Sequence, residues 1–276
     1  GRVALSLYYA SLSSRSPGAG PRPRASLGYP GSVAIRALSL DLFDTLVDLH
    51  LGSGAAVRSS ARSLHAAVAA HCDVEFETFV EALRAVDRGW CATRYADGLE
   101  VATEDRFARL AERLGIDQPD LAAILTSVHM DVIRSCVVVP EHHVGLLREL
   151  RERVRIGLCS NFSHAPTAHR ILAETKLLAP LDSIAISVEV GVRKPRREIF
   201  DAVLAGLDAA PGETLHVGDN LHADVAGAAA LGMRTAWITR RVSDPASALA
   251  GFEGPRPDFI VADLSELLPL VGAPAP

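Results

Sequence analysis

Short apolar runs that end in small polar or acidic residues recur along this chain from position 37 onward. The first is Ala37-Leu38-Ser39-Leu40-Asp41-Leu42-Phe43, an apolar stretch carrying a carboxylate near its end. The next are Val154-Arg155-Ile156-Gly157-Leu158-Cys159-Ser160-Asn161, Ser183-Ile184-Ala185-Ile186-Ser187 and Thr214-Leu215-His216-Val217-Gly218-Asp219, followed by 235–239 and 258–261. Runs of this length, bounded by polar positions, predict buried strands. Between the later runs the apolar spacing becomes helical, over 165–178 and 197–207, and 224–231 reads as an Ala-rich helix stopped by Gly232. Strands alternating with helices predict an α/β fold: a Rossmann-like doubly wound parallel sheet with right-handed crossovers and helices on both faces. Such sheets bind ligands at the carboxyl ends of their strands. Asp41, Ser160, Asn161 and Asp219 fall at those ends.

One stretch breaks the alternation. Residues 49–144 read as helix after helix, over 55–70, 75–88, 103–114 and 121–134, with no convincing strand. They predict a small helical-bundle cap domain inserted after the first strand, with the core domain made of 37–48 and 145–276. Residues 1–36 differ in kind: Arg2, Arg15, Arg22, Arg24 and Arg36 stand among many Ser, Gly and Pro, with no acidic residue. That composition buries too little apolar surface to offset chain entropy, so a disordered or non-native extension is expected. An Arg- and Ser-rich, acid-free segment also suits an organelle transit peptide.

Composition narrows the function classes. The 276 residues, 49% apolar and 22% charged, are ordinary for a globular protein, and a net charge of −5 argues against a nucleic-acid partner. No apolar run approaches the roughly 20 residues of a membrane helix. The four cysteines, Cys72, Cys91, Cys136 and Cys159, form no CxxC pair, which fits buried thiols in a reducing cytoplasm rather than a disulfide or zinc framework.

Four motifs occur in order at the predicted strand ends: Asp41-Leu42-Phe43-Asp44-Thr45, Ser160-Asn161, Lys194-Pro195, and Gly218-Asp219-Asn220-Leu221-His222-Ala223-Asp224. With a helical insertion after the first of them, the chain from about 37 to 270 resembles the haloacid dehalogenase superfamily. The resemblance implies that Asp41 is a nucleophile forming a covalent intermediate. It implies that Ser160 bonds an anionic substrate oxygen, that Lys194 neutralises the nucleophile and the developing anion, and that Thr45 and Asn161 belong to the same catalytic set. It assigns Mg²⁺ to the Asp41 carboxylate, the Phe43 backbone carbonyl and Asp219, with Asp224 as a direct or indirect support. Gathered carboxylates repel by about 4 kcal/mol per close pair, and a hard divalent cation removes that cost. Simpler readings stand beside these. Asp41 can cap a turn, Asp224 can cap the helix that follows, and Lys194 can be a solvated loop lysine.

The first motif departs from the phosphatase pattern. Phosphatases of this family carry a second aspartate two residues after the nucleophile, as general acid and then base; here that position is Phe43. Asp44 comes one residue later, and a one-residue slip along a strand turns the side chain to the other face. The expected function is therefore a Mg²⁺-dependent phosphatase for a small phosphorylated metabolite or an activated phosphate. The alternatives are a metal-independent 2-haloacid dehalogenase or phosphonate-cleaving hydrolase, or a weakly active or non-catalytic binding protein of the same fold. Trp90, Arg94 and Tyr95 are the candidate specificity residues of the cap. His164 is either a substitute proton donor or a surface histidine, and His216 a core histidine. A small anionic substrate is the expected partner, and the chain is expected as a monomer or homodimer.

Overall fold

The computed structural model describes residues 34–50 and 54–272. Apart from 34–36, the extension read over 1–36 lies outside the described residues. In chain order the elements are β1 (Ala37–Leu40), β2 (Asp48–Leu49), α1 (Gly54–Ala69), α2 (Phe76–Ala92), α3 (Thr103–Leu114), α4 (Leu121–Ser135), β3 (Val137–Val138) and α5 (His143–Arg151). They continue with β4 (Arg155–Ser160), α6 (Ala165–Glu174), β5 (Ser183–Ile186), α7 (Ser187–Val190), α8 (Arg197–Leu207), β6 (Thr214–Gly218), α9 (Gly227–Ala230), β7 (Arg234–Ile238), α10 (Pro245–Ala250) and β8 (Phe259–Val261).

The six longer strands form one parallel sheet in the order β5-β4-β1-β6-β7-β8. Period-two alternation places successive β1 side chains on opposite faces. Leu38 and Leu40 join Ile156, Leu158, Leu215 and Val217 in the core that contains Leu147 of α5 and Ile171 of α6. Ala37 joins Cys159 and Ala185 against Phe200, Val203 and Leu207 of α8. Both faces are thus covered by helices, as all-parallel sheets require. From β1 the sheet grows to β4 on one side and β6 on the other, which makes the carboxyl end of β1 its switch point.

Helices α1 to α4 lie between β1 and β4 in sequence and gather a separate core of Leu64, Val68, Phe79, Leu83, Val86, Phe107, Leu110 and Leu125. α3 ends where Gly115 takes a left-handed φ of 70° and its N–H closes on Ala111 and Glu112.

Three expectations need correction. Residues 49–144 do contain strand: Val137–Val138 pairs antiparallel with Asp48–Leu49. Two residues are too few to show a period. The strand predicted over 37–43 ends at Leu40, because Leu46 and Val47 both donate to the Leu42 carbonyl and curl the chain. The helix predicted over 224–231 is a π-helical turn, Leu221–Ala226, followed by α9. Asn220 starts that turn three residues earlier, its side chain accepting from the His222 and Ala223 N–H groups.

Candidate active site

The carboxyl ends of β1, β4 and β6 deliver Asp41, Ser160 and Asp219 to one place. The Asp41 N–H bonds the Val217 carbonyl at 2.9 Å, so the first residue past β1 is still held by β6. Lys194 arrives on the loop between α7 and α8, through a cis Lys194–Pro195 peptide. Its ammonium donates to Asp41 Oδ1 at 2.6 Å, Asp224 Oδ1 at 2.7 Å and the Cys159 carbonyl at 2.7 Å. Three donors meet three acceptors, and the solvated-lysine reading fails: the side chain is 2% exposed.

Asn161 holds that lysine by its backbone. Its Oδ1 accepts from Lys194 N at 2.7 Å and its Nδ2 donates to Lys194 O at 3.1 Å. Asn161, expected with the catalytic residues, has both ends of its amide engaged with the backbone of the Lys194 loop. Asp224 is equally committed. Besides Lys194, it accepts from His216 Nε2 at 3.1 Å and from Asn220 N at 2.9 Å. A Cβ at Gly218 would come within 2.2 Å of the Asp224 Cγ, so only glycine admits this carboxylate against the end of β6.

The electrostatics follow from burial and like charge. Burial pushes the Asp41 carboxyl up to about 6, Lys194 opposing and Asp224 adding to the rise. Asp219 is raised well above the ordinary carboxylate range by burial and by Asp224, Asp41 and Asp44. Burial would raise Asp224 too, but the Lys194 charge and the His216 hydrogen bond outweigh it and hold Asp224 low. Burial keeps His216 neutral, so its Nε2–H donates to Asp224 while Nδ1 accepts from Ser39 Oγ at 2.9 Å. Only the core-histidine half of its role was legible in sequence.

Asp41, Asp219 and Asp224 bring carboxylate oxygens within 4.8 Å of one another. Three carboxylates against one ammonium leave a net negative pocket of hard oxygen donors, which suits Mg²⁺. With Asp224 tied to Lys194, His216 and Asn220, the donors left to face a cation are those of Asp41 and Asp219. Trp237 Nε1 donates to the Asp219 carbonyl at 2.8 Å and sets that loop. Thr45 Oγ1 and Ser160 Oγ are buried with no hydrogen-bond partner among the described residues. Two orphaned hydroxyls, one on the turn after β1 and one at the end of β4, fit an anionic substrate oxygen.

The ring of Phe43 is buried edge-on against Phe162, with centroids 5.1 Å apart. Asp44 sits in a left-handed turn at φ 55°, not in a strand, so the face-alternation argument against it does not apply. Its carboxylate accepts from Leu49 N at 3.2 Å and pairs with Arg241 at 3.5 Å. Arg240, unremarked in the sequence, bonds both Asp48 and the Thr45 carbonyl and so braces the same turn.

The remaining candidates lie elsewhere. Trp90 and Arg94 line a cleft of about 930 Å³ with Glu100, Arg109 and Arg113, and no strand-tip carboxylate borders it. Tyr95 is stacked under the Arg193 guanidinium at 4.4 Å. Arg193 also pairs with buried Glu100 at 3.4 Å, next to Lys194 in sequence. His164 bonds Thr167 Oγ1 at 2.8 Å at the start of α6, and burial lowers its pKa.

A family model described as haloacid dehalogenase-like hydrolase matches residues 35–232. The phosphoserine phosphatase of Thermus thermophilus is 30% identical over 256 residues, covering 84% of this chain and 98% of that protein. The pyrimidine 5'-nucleotidase YjjG of Escherichia coli is 32% identical over 164 residues, 59% of this chain and 68% of its own length. Among solved structures, a 2-haloacid dehalogenase from Pseudomonas syringae superposes with a TM-score of 0.65 at 20% identity, covering 86% of this chain and 97% of that one. At that identity the likeness shows the fold. Among the described residues no helix is long and apolar enough to cross a membrane.

Proposed function

The chain belongs to the haloacid dehalogenase-like hydrolases, and we propose that within them it is a Mg²⁺-dependent phosphohydrolase acting on a small, activated phosphate. One observation carries the reading: the carboxylate cluster of Asp41, Asp219 and Asp224, two of them buried and the third half-buried, charge-balanced only in part by Lys194. A halide leaves a carbon centre without needing a cation, whereas a phosphoryl group brings negative charge that such a pocket must neutralise. The relatives named for phosphatase and nucleotidase activity support the same choice.

Asp41 and Asp219, with the Phe43 carbonyl, would hold Mg²⁺, which when bound offsets phosphoryl and carboxylate charge together. Lys194 keeps Asp41 ionised and aimed, through a contact at 2.6 Å. An oxygen of Asp41 attacks phosphorus, the P–O bond to the leaving group breaks, and water then hydrolyses the aspartyl phosphate to inorganic phosphate. Thr45 Oγ1 and Ser160 Oγ donate to the transferring oxygens. Their burial supports this role, since a buried hydroxyl without a partner costs roughly 1–3 kcal/mol.

Phe43 sets the leaving-group range. A ring packed on Phe162 offers no proton to a departing alkoxide, and general acid help is worth about 10²–10⁴ in rate. Aryl and acyl phosphates leave without it. The same aromatic ring favours dehalogenation as a second reading. Both are tested by hydrolysis of an aryl, an acyl and an alkyl phosphate, with Mg²⁺ and with chelator, beside Asp41→Asn. Release of aryl and acyl phosphate, lost with chelator and in the variant, is expected. Silence on all three phosphates, with halide released from a 2-haloacid in the presence of chelator, would overturn it.

A further inference from the structure

Away from the strand tips, three donors converge where the start of α5 meets the turn after β8. His142 precedes α5, His143 is its first residue, and Asp263 caps the 3₁₀ turn Leu264–Leu267. One atom from each, two imidazole nitrogens and a carboxylate oxygen, lies within 4.8 Å of the others.

His143 is the unusual member. Its side chain is fully buried, and Nδ1 lies 2.8 Å from the Leu46 carbonyl. A carbonyl only accepts, so the proton sits on Nδ1 and Nε2 carries a bare lone pair. That Nε2 makes no hydrogen bond among the described residues, although it points at Asp263 Oδ2, 3.8 Å away. Burial also lowers the histidine's affinity for a second proton. An imidazole lone pair and a carboxylate oxygen thus lie 3.8 Å apart, two electron-rich atoms that a cation can bridge.

The surroundings complete the pattern. Asp263 is oriented through Oδ1, which accepts from Ser265 N at 2.9 Å, Ser265 Oγ at 2.6 Å and His142 Nε2 at 2.8 Å. Oδ2 remains turned toward His143. Metal-binding histidines commonly donate their second ring N–H to a backbone carbonyl, which fixes tautomer and ring direction. His143 does this with Leu46. His142 is half exposed, so an ion can enter from solvent and keep an open position.

We propose that His142, His143 and Asp263 form a second divalent-metal site of zinc type, distinct from the carboxylate cluster, which clamps the start of α5 to the C-terminal turn. Two imidazoles and one carboxylate favour Zn²⁺, Co²⁺ or Ni²⁺ over Mg²⁺. On binding, the metal replaces the proton shared by His142 and Asp263, which is released to solvent. Because His143 also bonds the Leu46 carbonyl, next to Thr45, the ion stiffens the turn that carries the nucleophile.

The test is titration of the untagged full chain with Co²⁺, followed by its visible absorption, in millimolar Mg²⁺ to hold the carboxylate cluster. One equivalent should bind and raise Tm. His142→Ala and Asp263→Asn should each weaken it about tenfold or more, while Asp219→Asn leaves it unchanged. His142 is at the surface, and an asparagine side chain in place of Asp263 keeps a capping oxygen, so both variants should fold, which circular dichroism without metal checks. Absence of a Mg²⁺-resistant equivalent, or binding that survives intact in both variants, overturns the proposal. Neither result bears on the phosphohydrolase reading, which is read from turnover.

Discussion

A single ammonium contacts two of the three carboxylates of the site and opposes the charge of the third, Asp219, only weakly. Asp41, raised from 3.8 to about 6, binds a proton more tightly folded than unfolded. Its contribution to stability is therefore full below the ordinary carboxylate pKa and is lost as pH rises through about 6. Asp219 acts in the same direction. Asp224, held low, acts in the opposite direction, and its contribution is lost only on acidification below the ordinary range. A cation that competes with the protons on Asp41 and Asp219 should raise Tm more where those protons are absent. Thermal unfolding with and without Mg²⁺ should show a larger increment at about pH 7.5 than at about pH 5. Equal increments would mean that these carboxylates do not carry the binding. Residue by residue, the sequence located Asp41, Lys194, Asp219 and Asp224 because each motif ends a strand or opens a loop. It did not disclose what Asn161 and His216 do. Their partners, Lys194 and Asp224 with Ser39, are brought to them by the sheet, and no local pattern encodes a contact across 33 or 177 positions.

Among elements, α2 and α3 are joined by a buried ion pair with two parallel hydrogen bonds, Arg106 Nε to Asp87 Oδ1 at 2.6 Å and Nη2 to Oδ2 at 2.9 Å. The two side chains are 5% and 7% exposed. Breaking such a pair strands a buried charge, so Asp87→Ala should cost about 3–5 kcal/mol, whereas replacing both partners with apolar residues should cost far less. Chemical denaturation of the single and double variants decides this, and a mild single variant would refute it. The helices themselves were legible: 103–114 and 197–207 coincide with α3 and α8, because apolar stripes and a glycine stop operate locally. The π-helical turn at 221–226 was not, since Asn220 and Asp224 shape it through bonds to backbone N–H groups rather than through any apolar period.

At the scale of the molecule, α1 to α3 share a core that is separate from the sheet's, while α4 lends Met130 and Ile133 to the sheet side. Segments with their own small core open at lower free energy than a central sheet. Hydrogen exchange should therefore find the slowest amides in β1, β4 and β6, and openings of lower free energy in α1 to α3. A single common opening energy for both would show that they unfold as one. The pairing of Asp48–Leu49 with Val137–Val138 has a consequence of another kind. The chain leaves for the helices and returns from them side by side, so the passage is a narrow doorway. Whatever lies beyond it can be lengthened, shortened or exchanged in the course of descent without moving a strand of the sheet, so selection is free to remodel the insertion while leaving the carboxylate-bearing strand ends as they are.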